Sequence, residues 1–303
     1  ILIYISLLMK NLLNISDLNK TDIEEIFKFS KSLQKSSQSS NIKGKNIGLI
    51  FEKQSTRTRL SFHIAINQMG AKPLDIRFNE LNLDRSESFE DTFKMFDLYL
   101  DGIIYRTDDH NKLINASKYF NKPLINGLSN LSHPCQILAD IYTLQKYFKN
   151  NKNITISWFG DMNNVLYSFF EITNLFSNIK LNVFTSNHIL DMCLPKFPKS
   201  NSVNFYNKLD KKIIEISDCI MTDVYQSMND KEDNNKENEL IIFQVNSDLM
   251  NMTKKDCVFC HCLPAKIGSE VTKLVINGKK SIVLEQAYNR MVVQKGILNW
   301  IFS

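Results

Sequence analysis

The sequence lacks several patterns that mark common functional classes. No G-x-G-x-x-G pattern occurs among its 303 residues. A Gly160-Asp161 turn after a predicted strand therefore does not indicate a dinucleotide cofactor. The lysines are scattered, and no basic stripe carries interleaved aromatic side chains, so a nucleic-acid partner is not expected. The net charge of +5 is compatible with a basic pocket for a small anionic substrate.

Signals for membranes and export are also scarce. Residues 1–8 are apolar, but the run is too short to span a bilayer. It has no basic leader and no small-residue cleavage site, so we expect no signal peptide, no membrane partner and a cytoplasmic location. Because the chain begins with Ile and Met9 follows, residues 1–8 are treated as a candidate N-terminal extension.

The cysteines do not form a complete metal-binding pattern. Of the six cysteines, only Cys257 and Cys260 make a C-x-x-C pair, and no second pair completes a tetrahedral site. The residues between them, Val258 and Phe259, indicate a strand. We expect reduced thiols, no metal and no redox cofactor.

Apolar runs typical of buried strands alternate with helical patterns along the whole chain. The first set ends near Phe148, residues 149–152 form a linker, and the alternation restarts at Ile154. This order predicts an α/β fold with two domains, each a parallel β-sheet flanked by helices, and a substrate cleft between them. The expected domains are residues 9–148 and 149–303, with a C-terminal helix at 285–303 packing back on the first. The charged stretch 229–239 is predicted to be a solvated or disordered insertion.

One stretch predicts an anion site. Ser55, Thr56, Arg57 and Thr58 lie between a predicted strand at 46–51 and a predicted helix. Free backbone N–H groups and the helix dipole favour an anion there, and an arginine fork matches phosphate. A single Ser would indicate only an N-cap. Arg59 points roughly 200° away from Arg57 on a helix, so we assign it to a structural ion pair.

Further polar residues follow other predicted strands or open the helices beyond them. Carboxyl ends of parallel strands are where α/β sheets bind ligands, so the set predicts a shared site even though each member has a structural alternative. Its members are Arg106, His133, Gln136, Asn164, Asp223 and Cys262.

Three motifs carry a resemblance to a known family. Ser55-Thr-Arg-Thr-Arg59, His133-Pro-Cys-Gln136 and His261-Cys-Leu-Pro264 together resemble the aspartate/ornithine carbamoyltransferase family, from about residue 9 to the end. His-Cys-Leu-Pro is the version found in members that act on ornithine. Gly160-Asp-Met-Asn-Asn164, Asp223-Val-Tyr-Gln-Ser-Met228 and Glu285-Gln-Ala-Tyr-Asn-Arg290 also resemble segments of those members.

The resemblance implies a reaction and a set of roles. Carbamoyl phosphate would transfer its carbamoyl group to the δ-amine of L-ornithine, giving L-citrulline and phosphate in arginine metabolism. The implied catalytic residues are Cys262, Arg106, His133 and Asp223. Carbamoyl phosphate would be bound by Ser55, Thr56, Arg57, Thr58, Arg106, His133, Gln136, Cys262, Leu263, Arg290 and Asn82. Ornithine would be bound by Asn164, Asp223, Ser227 and Met228. The resemblance further implies a homotrimer with sites at subunit interfaces.

The sequence departs from the family pattern at three positions. Tyr225 stands where Trp is usual, Asn229 replaces a Gly, and Asn82 stands where Gln or His often reaches a neighbouring subunit's site. Two alternatives stay open: a carboxylate-free amine such as putrescine as acceptor, or a catalytically silent relative that binds carbamoyl phosphate. Ser227, Met228 and Asn164 argue against the first, and the presence of the catalytic residues argues against the second.

Overall fold

The computed structural model describes residues 10–34, 41–84, 87–149, 153–226 and 234–303. The chain divides into two compact units. The first unit comprises the residues up to Ala139 together with Arg290–Ser303, and the second unit comprises Asp140–Asn289. Both divisions fall inside helices rather than in loops.

The first unit is built around a parallel four-stranded sheet in the order β2-β1-β3-β4. Its strands are β1 (Asn46–Phe51), β2 (Lys72–Arg77), β3 (Gly102–Arg106) and β4 (Leu124–Leu128). Its helices are α1 (Lys20–Leu33), α2 (Thr56–Gln68), α3 (Phe89–Tyr99), α4 (His110–Tyr119) and the start of α5 (Pro134–Phe148). The last helix of the chain, α12 (Val283–Ile301), contributes its C-terminal part.

The second unit contains a parallel five-stranded sheet in the order β7-β6-β5-β8-β9. Its strands are β5 (Ile154–Phe159), β6 (Ile179–Phe184), β7 (Val203–Tyr206), β8 (Cys219–Thr222) and β9 (Val258–His261). Its own helices are α6 (Asn164–Leu175), α7 (Asn187–Cys193), α8 (Lys211–Glu215), α9 (Asn234–Leu240), α10 (Ser247–Met252) and α11 (Lys273–Ile276).

Most strands are buried, including the edge strands β4 and β9. Central β1 is buried from Ile47 to Ile50, and β8 and β9 are buried along their whole length, because helices cover both faces of a parallel sheet. The edge strand β2 is largely exposed. The buried side chains of α3 and α4 pack on the first sheet in a cluster with Ile50, Ile103 and Tyr105. This packing holds the carboxyl ends of the strands in place.

The predicted α/β architecture, with two parallel sheets flanked by helices, is confirmed. The insertion predicted at 229–239 is wrong in part, because Asn234–Leu240 form α9. Two ion pairs and one hydrogen-bond contact join this charged helix to the rest of the second unit. The ion pairs are Lys236 with Asp161 at 2.8 Å and Glu237 with Lys266 at 2.7 Å, and the third contact is Glu239 with Nδ1 of His188 at 3.2 Å. Residues 229–233 lie outside the described residues.

Among the described residues, no helix combines the length and the apolarity needed to cross a membrane.

Candidate functional site

The helix start after β1 departs from an ordinary N-cap. Ser55 is the N-cap residue of α2, with φ −149° and ψ 103°, but its side chain makes no capping hydrogen bond. Instead, its hydroxyl accepts a hydrogen bond from Nη1 of Arg106, at the end of β3, over 3.1 Å. The N–H groups of the first turn of α2 therefore keep their capacity to bind an anion.

Two guanidinium groups, that of half-buried Arg106 and that of buried Arg290, lie close to Thr58 on the buried face of α2. Nη1 of Arg106 lies 3.5 Å from the Thr58 hydroxyl oxygen, and Nη2 of Arg290 donates to the same oxygen. Nη2 of Arg290 also lies 3.3 Å from Nε2 of His133. Since a guanidinium nitrogen can only donate, His133 accepts through Nε2. Residues from β3, the β4–α5 loop and α12 thus converge on the start of α2.

This cluster, formed by Ser55, Thr58, Arg106, His133 and Arg290, is strongly electropositive. Burial, followed by the charges of Arg290 and Arg57, lowers the pKa of Arg106 to about 10. Burial, followed by the positive charges of Arg290 and Arg106, lowers the pKa of His133 well below its usual value. His133 is therefore neutral at neutral pH, whereas Arg106 keeps its charge. The two guanidinium groups of this cluster, with the charge of Arg57 acting on Arg106, are an arrangement that a phosphate dianion would stabilise.

The other predicted carbamoyl phosphate residues of the first unit differ in burial. Thr56 is exposed and Arg57 half-buried in the first turn of α2. Gln136 is buried in the first turn of α5. Asn82 is exposed in a 3-10 turn, and no hydrogen bond among the described residues joins its side chain to the cluster.

Arg59 points away from the cluster. Its Nε lies 3.8 Å from Oδ1 of Asp75 on β2, and both side chains are largely solvent-exposed. His63, one turn further along α2, contacts the other oxygen of the same carboxylate at 3.3 Å. This geometry matches the structural ion pair expected of Arg59.

In the second unit, Asp223 follows β8 and is held by an asparagine. Nδ2 of Asn163 donates to Oδ2 of Asp223 over 2.9 Å. Burial raises the pKa of Asp223, while its hydrogen bond from Asn163 acts in the opposite direction. A buried carboxylate of this kind is suited to bind an ammonium group.

Asn163 was not among the predicted site residues. Its side-chain oxygen caps α6 by accepting from the N–H groups of Val165 and Leu166, which leaves its amide nitrogen for Asp223. The predicted residue, Asn164, is the first residue of α6. The Asn-Asn pair in the sequence was the available signal, but it could not tell which side chain would face Asp223.

The turn after β9 carries Cys262 and Leu263. Cys262 is partly exposed, and Leu263 has a φ of 56°, in the left-handed region. The Leu263 N–H donates to Nδ1 of His261 over 2.9 Å. Ser227 and Met228, predicted to bind ornithine, lie outside the described residues.

The turn after β5 depends on a close approach between two residues. Gly160 has a φ of 115°, and a Cβ at this position would lie 2.5 Å from Cε1 of Tyr225. Tyr225 is buried against this turn. Any side chain at Gly160 would therefore displace the ring of Tyr225, a residue that follows β8.

Comparisons with known proteins agree across the chain. Residues 10–146 match the family model described as aspartate/ornithine carbamoyltransferase, carbamoyl-P binding domain, and residues 152–301 match the Asp/Orn binding domain. The chain is 37% identical to an ornithine carbamoyltransferase of Bradyrhizobium diazoefficiens over 300 residues, covering 97% of each protein. It is 39% identical to one of Agrobacterium fabrum over 260 residues, covering 85% of each.

The structural comparison gives the same result. The crystal structure described as ornithine carbamoyltransferase from Pyrococcus furiosus superposes with a TM-score of 0.84 and 33% sequence identity, covering 95% of this chain and 96% of that one. The enzyme from Thermus thermophilus superposes with a TM-score of 0.85 and 27% identity, covering 98% of this chain and 100% of that one.

Proposed function

Because the chain belongs to the aspartate/ornithine carbamoyltransferase family, we propose that it transfers the carbamoyl group of carbamoyl phosphate to the δ-amine of L-ornithine, giving L-citrulline and phosphate. The observation that carries this proposal is the convergence of Arg106 and Arg290 on Thr58, beside Ser55 and His133. Such a cluster offers a phosphate several donors from different elements at once.

Carbamoyl phosphate is assigned to the first unit's cluster. Its phosphate would accept from the first turn of α2, from the hydroxyls of Ser55, Thr56 and Thr58, and from Arg57 and Arg106. As the amine attacks, the carbonyl oxygen gains negative charge, which Arg106, His133 and Thr58 would stabilise as an oxyanion site does. The C–O bond to phosphate then breaks. Gln136, Arg290 and the backbone carbonyl groups after Cys262 would hold the carbamoyl end.

Ornithine is assigned to residues of the second unit. The carboxylate of Asp223 is suited to the α-ammonium group, with Ser227 as a further partner. Asn164 and the backbone at Met228 would bind the α-carboxylate. The δ-amine must lose a proton before it attacks, and Cys262, linked to Asp223, would orient and help deprotonate it. Binding both substrates in line would supply much of the rate.

The wider setting belongs to the same proposal. We infer a homotrimer in which Asn82 of one subunit reaches a neighbour's site, a role in arginine metabolism and a cytoplasmic location. The resemblance supports the trimer, and the free thiols of all six cysteines are compatible with the location. The proposed reaction needs no metal or redox cofactor.

The test measures phosphate release and identifies the carbamoylated product when the purified chain is given carbamoyl phosphate with ornithine, putrescine or aspartate. We expect citrulline from ornithine and little turnover of the other two amines, because only ornithine has both the α-carboxylate and the reactive δ-amine. Faster turnover of putrescine would show that the acceptor is an amine without an α-carboxylate. Absence of any product, with carbamoyl phosphate still bound, would favour the silent relative.

A further inference from the structure

We propose that Glu270 is a positioning residue that sets the conformation of the Cys262-Leu263 turn through His261. The inference deepens the proposed function and rests on it, since this turn is where that function places a catalytic thiol and a carbamoyl-binding backbone. No sequence motif pointed to Glu270. Its role follows from a chain of hydrogen bonds within the second unit.

Glu270 makes hydrogen bonds to both ends of the turn that follows β9. Its Oε1 accepts from Nε2 of His261 over 3.1 Å and from the backbone N–H of Lys266 over 2.6 Å. Both side chains of the Glu270–His261 pair are fully shielded from solvent. One carboxylate oxygen therefore joins the end of the strand to a residue beyond Pro264, and the turn that carries Cys262 lies between these two points.

The bonds of His261 determine where its proton lies. Nδ1 accepts from the Leu263 N–H at 2.9 Å, so the single ring proton is on Nε2, where it is donated to Glu270. His261 therefore accepts through Nδ1 and donates through Nε2. If Glu270 could not accept this bond, the proton would be free to move to Nδ1, and the acceptor for the Leu263 N–H would be lost.

Leu263 needs this acceptor because its backbone is strained. Its φ of 56° lies in the left-handed region, which a branched residue such as Leu adopts only at an energetic cost. The bond to His261 offsets that cost and orients the peptide between Cys262 and Leu263. The carbonyl group of this peptide then has one direction rather than several.

His261 is itself anchored on its backbone side. The side-chain oxygen of Gln286 accepts from the His261 N–H at 3.0 Å, and the Gln286 amide nitrogen donates to Asp140 at 2.7 Å. All three residues are buried. Glu270 therefore acts on a strand end that is already fixed, so a change at Glu270 should alter the turn rather than the strand.

The buried side chain of Glu270 does not contribute to stability as an apolar side chain would. A buried carboxylate is expensive to desolvate, and Oε2 of Glu270 has no hydrogen-bond partner among the described residues. Its charge also reaches Asp223, whose pKa is raised by burial first and by Glu270 in addition. A well-packed apolar side chain would serve stability better, so the distinctive contribution of Glu270 is the pair of hydrogen bonds that it accepts from His261 and Lys266.

The test compares three variants of the full chain. Glu270→Gln keeps an oxygen that can accept the same two N–H bonds, whereas Glu270→Ala removes it. Asp218→Asn is the matched control. Asp218 is a buried carboxylate of the same unit that accepts from the Thr155 N–H at 2.9 Å and from Lys254 at 2.6 Å, at the opposite end of the sheet from Cys262.

Two readouts are measured at 25 °C, well below the midpoint of thermal unfolding of each variant. The first is kcat and KM for citrulline formation. The second is the ratio of the iodoacetamide alkylation rates of Cys262 and Cys193, the two partly exposed cysteines, mapped by peptide mass spectrometry. The alkylation ratio does not depend on turnover, so it tests the turn even if the proposed function fails.

We expect Glu270→Ala to lower kcat by about 10-fold to 100-fold, because small misplacements of reacting groups have effects of this size. The alkylation ratio should change several-fold in the same variant. Glu270→Gln should stay within about 3-fold of the parent in both readouts, since it can accept the bonds of the parent. Asp218→Asn should lose thermal stability without a change in either readout.

Three outcomes would overturn the inference. They are a normal alkylation ratio in Glu270→Ala, an equal loss of kcat in the Gln and Ala variants, or an equal loss in Asp218→Asn. If the parent chain forms no citrulline, the proposed function fails, while the alkylation ratios still decide whether Glu270 sets the turn.

Discussion

Replacing Arg57 by Ala should separate ligand binding from stability. Arg57 is half-buried in the first turn of α2, and its charge contributes to lowering the pKa of Arg106. Without a bound anion, its guanidinium group therefore opposes two other positive charges. In the presence of carbamoyl phosphate, the same group would become a donor to the phosphate. The substitution should therefore weaken the binding of carbamoyl phosphate and leave the stability of the ligand-free protein almost unchanged.

The magnitudes follow from the geometry of the cluster. At about 1.4 kcal/mol per pKa unit, the lowered pKa of Arg106 corresponds to roughly 3 kcal/mol against its charged form. Burial is the largest cause and Arg57 the smallest, so removing Arg57 should raise ligand-free stability by less than about 1 kcal/mol. Each charge-assisted hydrogen bond lost to the phosphate costs about 1.5–3 kcal/mol. For a bidentate contact, kcat/KM should fall by about 10² to 10⁴.

The assay combines citrulline kinetics with thermal unfolding, and the unfolding is measured with and without carbamoyl phosphate. At 100 times its Kd, a ligand stabilises the parent by about 2.7 kcal/mol, and most of this gain should vanish in Arg57→Ala. Arg59→Ala is the control, because its exposed ion pair with Asp75 is worth at most about 1 kcal/mol. Near-normal turnover in Arg57→Ala, or an equal loss in Arg59→Ala, would refute the assigned division between the two arginines.

Two further predictions concern packing and the acidic limb of activity. Gly296→Ala should lower the free energy of unfolding by about 1–3 kcal/mol, since its Cβ would lie 2.1 Å from the Ser30 hydroxyl and 2.4 Å from the Ile26 carbonyl oxygen; an unchanged urea midpoint would contradict this. Asn163→Ala should cost about 1 kcal/mol through the lost N-cap of α6. It also removes a hydrogen bond that lowers the pKa of Asp223, so that pKa should rise further. In the proposed function the carboxylate of Asp223 binds ornithine, and this carboxylate is lost as pH falls through its pKa. The acid-side rise in ornithine KM should therefore shift to higher pH in the variant, and superimposable pH profiles would count against the assignment of Asp223.

The parts of the fold that the sequence predicted best are those with strong local signals. The buried run of β1 and the hydroxyl-rich start of α2 lie where their patterns placed them. Strand β7 was not predicted from the sequence. Its four residues are only half-buried at a sheet edge, so they lack the long apolar run of a central strand. Helix α9 was not predicted, because its ion pairs are with residues distant in the sequence, which composition cannot reveal.

The site shows the same division between local and long-range information. Motifs identified Thr58, Arg106, His133 and Arg290 one at a time, but only the folded first unit shows that two arginines share the hydroxyl of Thr58. Glu270 had no motif, because its importance depends on one bond to His261 and one to the backbone of Lys266. Side chains that act by holding other groups leave little trace in sequence spacing.

The way the chain divides between its two units has a consequence for biosynthesis. The second unit is one continuous segment, Asp140–Asn289, whereas the first unit is completed by Arg290–Ser303. During translation, all the residues of the second unit therefore leave the ribosome before the first unit has its last helical segment. Arg290, a member of the electropositive cluster, belongs to that segment. The nascent chain consequently cannot assemble the whole anion site until the segment after Asn289 has been made, although Ser55 and Arg106 were made much earlier.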